Sequence, residues 1–284
     1  IGTIGNPIIV GNEIEFAIKN VALIKKNDSV NNYYMKYFLG SNATITKMRV
    51  EAKGSTQKFV SLGYLRSFEI PLPPLETQAR IVSILDSAFA DIERARANAE
   101  KNLKNARELF DSYLNKVFTE GGNGWENETF DEVCVKITDG AHHSPKTLYP
   151  DREPNRFLYI TSKNIRNNYM DLSKTSYVDS DFHNSIYKSC NPEIGDVLLT
   201  KDGANTGNVT LNTVDEPFSL LSSVCLMKPD KNRIKAKFIK FYILSPVGFE
   251  NITGQMTGAA IKRIILKTIK SSIIPVPPLR EQKE

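Results

Sequence analysis

Three short loops in this 284-residue chain hold the side chains best able to meet a ligand. "TDGAHHSPK" (138–146) sets Thr138, Asp139, His142, His143 and Lys146 around a Gly-containing turn. "TKDGANTGN" (200–208) offers Lys201, Asp202 and Asn205 directly after an apolar run. "TGAAIKR" (257–263) ends in Lys262 and Arg263, and "KGSTQK" (53–58) has a similar form, closing on Lys58. Lys163 and Asn164 add another cation and amide. Isolated cations neutralise phosphates, while Asn, His and Asp make the directional bonds that tell base edges apart. Loops of this kind suit a nucleic-acid backbone with readable edges.

Catalytic chemistry is harder to find. No Walker-type phosphate loop is present, and no GxGxxG follows a strand. The aromatic-ended tetrapeptides with which amino-methyltransferases orient a flipped base are also missing. "EAK" (51–53) and "EQK" (281–283) mimic the end of a metal-dependent nuclease site but have no suitably placed upstream Asp. His142, His143, His183 and Cys190 match no closed zinc spacing, so neither a metal nor a cofactor is expected. With 40% hydrophobic and 24% charged residues, the composition is that of globular material. No apolar run nears the ~20 residues of a membrane span. The formal net charge of +5 permits a nucleic-acid partner without requiring one. Three scattered cysteines suit reduced thiols and a cytoplasmic location.

The elements that must position these loops are written twice. "IPLPPLETQ" (70–78) and "IPVPPLREQ" (274–282) share Ile, three Pro, Leu and Gln at an offset of 204 residues. At the same offset "YMKYFLGS" (34–41) lies over "FIKFYILS" (238–245), and "SFEIP" (67–71) over "SSIIP" (271–275). With a one-residue gap, "VALIK" (21–25) falls on "VCLMK" (224–228). A period this long is a whole domain plus connector. The chain holds about 1.4 periods and reads as part of a longer protein.

Residues 76–118 lack Gly and Pro and predict one long helix. Apolar residues at 81, 85, 88, 92, 95, 99, 106, 109, 113 and 117 make a heptad seam in which Asn102 fills the remaining position. "EGGNGW" (120–125) ends the helix, and strands are expected at 157–162, 196–200, 208–212 and 222–227, then a helix over 235–245. Residues 1–69 should repeat only the later part of that domain: strand, strand, helix, Gly loop, final strand.

This order of motifs resembles the specificity subunit of a Type I restriction-modification system. The carriers are "IPLPPLETQARIVSILD", the heptad helix, "TDGAHHSPK", "IGDVLLTKDGANTG" and the closing "IPVPPLREQ". The resemblance implies an α+β fold in which mixed α/β target-recognition domains are joined by a long coiled-coil α-helix. Residues 1–69 would be the C-terminal part of a first recognition domain and 70–120 a helical spacer. Residues 121–273 would be a second recognition domain and 274–284 the start of a second spacer. It further implies a non-catalytic subunit that reads a bipartite target in double-stranded DNA. Modification (methyltransferase) subunits would dock on it, and the restriction subunit would join the assembly. Two other readings fit parts of the chain: a recognition module of a bifunctional Type II enzyme, and a coiled-coil scaffold without a DNA role.

Overall fold

A computed structural model describes the chain except residues 1–3, 12–14, 26, 55–57, 255, 257–262 and 284, and except the side chain of Lys283. It divides into two compact units, Ile1–Leu103 and Lys104–Glu284.

The first unit is helical. α1 (Asn32–Gly40) starts at Asn31, whose side-chain oxygen accepts from the Tyr33 and Tyr34 amides. Ser41 ends α1 and caps α2 (Asn42–Val50) through the Thr44 amide, so one residue makes the bend between them. α3 (Leu62–Ser67) comes next, and α4 (Leu75–Glu120) is 46 residues long, about 69 Å at 1.5 Å per residue. At the head of α4, Gln78 is 1% exposed and holds three backbone groups. Its oxygen accepts from the Asn31 amide at 2.8 Å, and its nitrogen donates to the Ser29 carbonyl at 3.2 Å and the Pro73 carbonyl at 2.8 Å. Tyr37 on α1 stacks on Phe89 at 5.5 Å and donates its hydroxyl to Asp86, a bond that raises the phenol pKa.

The second unit, with the last turns of α4, is the mixed domain. Its elements begin with β1 (Glu126–Thr129), α5 (Phe130–Val133), β2 (Cys134–Asp139) and β3 (Arg156–Ile160). β4 (Ile165–Arg166), β5 (Tyr169–Met170), β6 (Ser176–Asp179) and α6 (Ser180–Tyr187) come after them. Then come β7 (Val197–Thr200), β8 (Val209–Leu211), β9 (Phe218–Leu220) and β10 (Val224–Pro229). α7 (Ala236–Leu244), α8 (Pro246–Thr253), α9 (Leu266–Ser271) and β11 (Ile273–Val276) complete it.

An antiparallel sheet in the order β2-β10-β7-β8 lies at the centre. Val197, Leu199, Cys225 and Met227 face a core shared with Leu114, Phe118, Phe130, Ile239 and Tyr242. Leu198, Val224 and Leu226 face the opposite core, with Leu158, Ile160, Ile186 and Phe218 of the β6-β3-β9 sheet and α6. Burial on both faces explains why "DVLLT" and "SSVCLM" read as unbroken apolar runs.

The repeat survives in the helices. α1 and α7, α2 and α8, and α3 and α9 each begin 204 residues apart, and Ser245 caps α8 as Ser41 caps α2. Gln282 repeats the grip of Gln78, accepting from the Lys235 amide at 2.7 Å and donating to Pro277 at 2.8 Å and Arg233 at 3.0 Å. All three partners are those of Gln78 shifted by 204. The Pro-rich phrase is therefore a lock, whose Gln fastens the start of α1 in one copy and of α7 in the other.

The strands expected in residues 1–69 do not form among the described residues; "VALIK" is irregular and exposed, and "FEI" is irregular with Phe68 and Ile70 half-buried. Their counterparts β10 and β11 pair with β2, β7 and β1, and the described residues of 1–69 hold no strand equivalent to those partners. A strand is satisfied only by a partner, whereas a helix bonds within itself. The second Pro-rich phrase leads into a 3-10 turn over Glu281–Lys283.

Candidate nucleic-acid interface

The C-terminal end of β2, the end of β3, the end of β7 and the start of β10 bring four loops together. β2 delivers Asp139, and Gly140 then passes so close to β9 that an added Cβ would sit 1.9 Å from the Leu220 carbonyl oxygen. That approach lets the Ala141 amide donate to Leu220 at 2.8 Å and its carbonyl accept from Ser222 at 2.9 Å. β7 delivers Lys201, whose amide donates to Ser223 at 2.9 Å. The loop then closes on itself, with Gly207, at φ +95°, donating to Thr200 at 2.9 Å. The turn after β3 joins through the Ser162 amide to Ser223 Oγ at 3.2 Å and Asn205 Nδ2 to the Ser162 carbonyl at 3.3 Å. Asp202 bridges Arg263 antiparallel, and the Ile264 amide donates to the Lys201 carbonyl at 2.8 Å. The loops at 138–146, 161–164, 200–208 and 221–223 thus meet, with Arg263 beside Asp202.

Lys201 is the knot beneath it. Only 7% exposed, it sets Nζ 3.0 Å from Asp202 Oδ2 and 3.4 Å from Asp139 Oδ2. Asp139 Oδ1 in turn lies 2.9 Å from His142 Nε2. Two loops of opposite origin are therefore joined by one buried cation and two carboxylates. Asp202 Oδ1 and Thr200 Oγ1 are buried beside it without a hydrogen-bond partner among the described residues.

The sequence-derived candidates now separate. His142 is largely exposed, as are Lys146, Lys163 and Arg263. His143 is exposed and meets the edge of Phe182 at 5.2 Å between ring centroids. Thr138, Asp202 and Asn205 are half-buried within the loop cluster. Lys201, read from sequence as a cation for phosphate, is instead buried and paired. Asn164 is also interior: its oxygen accepts from Thr161 and its nitrogen donates to the Asp171 and Lys174 carbonyls at 3.0 and 3.3 Å. Lys58 is exposed in the other unit, beside the Lys53–Phe59 bridge. Lys262 lies outside the described residues.

Sequence reading missed Ser162, Ser222 and Ser223, whose backbone and hydroxyl groups tie the loops, and the hairpin β4–β5. Its signal was present: "IRNNYM" sets an Asn pair between Ile-Arg and Tyr-Met, a two-residue turn. No group of three or more His, Cys, Asp or Glu able to hold a metal occurs among the described residues. Cys134, Cys190 and Cys225 are buried, and desolvation pushes the first two thiols up to about 12 and the third well above its ordinary value. His183 stacks flat on Phe157 at 3.8 Å and meets Ser219 Oγ at 3.0 Å. It is a core residue.

Comparison with known proteins identifies relatives of the chain. The chain is 22% identical over 301 aligned residues to the Type I restriction enzyme MjaVIII specificity subunit of Methanocaldococcus jannaschii, covering 99% of this chain and 68% of that one. It is 21% identical to the EcoBI specificity subunit of Escherichia coli, covering 95% and 61%. The chain therefore spans about two thirds of the length of these relatives. Among solved structures, a chain from a study of type I R-M complex assembly and conformational transition matches with TM-score 0.66 and 21% identity. That match covers 88% of this chain and 60% of the other. The HsdS subunit of Thermoanaerobacter tengcongensis matches with TM-score 0.54 and 18% identity, covering 90% and 60%. At these identities the structures establish the shared fold. The model of the Type I restriction modification DNA specificity domain matches residues 1–101 and 122–284, so the chain belongs to that family.

Proposed function

We propose that this chain reads DNA sequence for a Type I restriction-modification assembly without catalysing a reaction itself. Residues 121–273 act as one target-recognition domain and 1–69 as the C-terminal part of another, with 70–120 as spacer. The carrying observation is the convergence of the four loops on one surface, held by Lys201 between Asp139 and Asp202. Such a surface combines exposed cations (Lys146, Lys163, Arg263) with directional groups (His142, His143, Asn205), the division between phosphate positioning and base readout. Lys201 and Asn164 shape the loops in this reading, and the exposed residues touch DNA.

The partners are double-stranded DNA, modification (methyltransferase) subunits and, through the assembled complex, the restriction subunit. The setting is cytoplasmic, consistent with buried thiols; no described helix is long and apolar enough to cross a membrane. No cofactor is required.

The test is methylation-aware sequencing of DNA from a host expressing the full-length subunit with its modification partner. Asn205→Ala and His143→Ala are expected to alter one half-site of the methylated motif and leave the other unchanged. Unaltered motifs in both variants would remove this surface from recognition.

A further inference from the structure

We propose that the β4–β5 hairpin is a second reading element, in which Tyr169 and Asn168 meet the edges of bases in the same half-site. The proposal rests on the DNA-reading assignment above and adds to it residues that lie outside the loops already considered.

The hairpin has two faces of different character. In its register Ile165 pairs with Met170 and Arg166 with Tyr169. Ile165 is fully buried and Met170 packs against the second core, so this pair holds the hairpin down. The other pair points away from it, as strand alternation demands. Tyr169 remains 57% exposed.

A hairpin in this place could serve only to cover the open edge of β8, as edge strands require. Three hydrogen bonds do that work. The Asn168 amide donates to the Val209 carbonyl at 3.1 Å, and the Val209 amide donates to Asn167 Oδ1 at 3.1 Å. Asn208 Nδ2 reaches the Ile165 carbonyl at 3.3 Å. None of them uses the side chain of Asn168 or Tyr169. The cover therefore explains the backbone, Asn167 and Ile165, and leaves an amide and a phenol displayed at the tip.

That display is fixed. Asn168 holds the turn at φ +74°, and Asn164 braces the far end by donating to Asp171 at 3.0 Å. Asn208, which anchors Ile165, closes the 200–208 loop by donating its own amide to Asn205 at 3.0 Å. The tip is thus mounted on the same strand end as the loop surface. A rigid tip with one amide and one aromatic ring has the chemistry for a base edge: the amide exchanges two bonds with adenine, and the ring packs on a thymine methyl or sugar. Duplex DNA is the ligand, since the neighbouring loops present exposed Lys163 and His142.

The experiment uses the full-length subunit assembled with its modification partner, and duplexes carrying the motif found by methylation-aware sequencing. Tyr169→Ala is expected to weaken binding to that motif roughly tenfold, with little change on unrelated duplex. Asn168→Gly keeps the left-handed turn and is expected to relax the base required at one position of one half-site. Thermal unfolding controls for folding; should Tyr169→Ala melt early, Asn168→Gly and Tyr169→Phe carry the test. If both hairpin variants bind and methylate as the parent while Asn205→Ala shifts the motif, the hairpin is only an edge cover and the DNA-reading surface stands. If loop and hairpin variants all leave the motif unchanged, the surface assignment falls and the hairpin with it. Changes confined to the hairpin variants would move the reading site from the loops to the tip.

Discussion

Lys201 shows how a charged residue in a candidate loop can act from below the surface. Its Nζ has two carboxylates and little water, so removing it leaves the buried carboxylate of Asp139 and the half-buried one of Asp202 without their shared cation. Breaking such a buried cluster costs about 3–5 kcal/mol. Lys201→Met is therefore expected to lower the melting temperature markedly, as read by thermal unfolding. Lys146→Ala and Lys163→Ala, both exposed, should leave the melting temperature alone. Each should instead reduce the salt slope of DNA binding by about one if it meets a phosphate. A Lys201→Met protein that melts with the parent would sever the link between the two loops. His183 gives a second test. Burial lowers its pKa, while in the unfolded chain it titrates near about 6.5. As pH falls through that value the unfolded chain takes the proton first, so stability drops until the lowered folded pKa is passed, then levels off. His183→Phe keeps the stack on Phe157 and should flatten this part of the stability-pH curve; a parallel curve would place the titration elsewhere.

At the scale of elements, the sequence was most legible where structure is local or buried on both sides. The long helix was expected over 76–118 and runs Leu75–Glu120; β3, β7, β8, β10 and α7 fell where their apolar runs placed them. Short elements such as β4, β5, α6 and α9 carry too few residues for a period to show, and β1 with "ENET" is polar because it lies at an exposed edge. The site was half legible: the loops that converge were named, but which of their charges are interior depends on contacts distant in sequence, as between Asp139 and Lys201. The Pro-rich phrase marks a junction in sequence, yet its meaning lies in the Gln at its end. Gln78→Ala leaves the Asn31 amide and the Ser29 and Pro73 carbonyls without their partner. Each such group that water cannot reach costs roughly 1–3 kcal/mol. Gln78→Glu should be no better, since it keeps the acceptor but turns an oxygen toward two carbonyls. Hydrogen exchange at Asn31 should accelerate in both variants; unchanged protection there would mean that α1 is held by its apolar contacts alone.

For the whole chain the open question is what the middle of α4 touches. Residues 86–113 are exposed along their full length, although Ala88, Ile92, Ala95, Ala99, Ala106, Leu109 and Tyr113 keep the three-four spacing of a seam. Ile92, Leu109 and Tyr113 are 58%, 72% and 66% exposed, so large apolar side chains share that stripe with small ones that permit close approach. Burying a large apolar side chain stabilises by about 1.5–3 kcal/mol. Several of them on each of two helices suffice for association near tens of micromolar, which needs about 6–7 kcal/mol. In the proposed assembly the fitting partner for this stripe is a helix with a matching seam. Without that partner, a second copy of α4 should occupy the seam. Sedimentation of this 284-residue chain should show the mass rising toward a dimer over that concentration range. Ala95→Glu with Ala99→Glu should hold it monomeric without loss of helix, because Glu propagates a helix well but buries poorly. A chain that stays monomeric at every concentration, with α4 fully helical, would show that the seam is no interface.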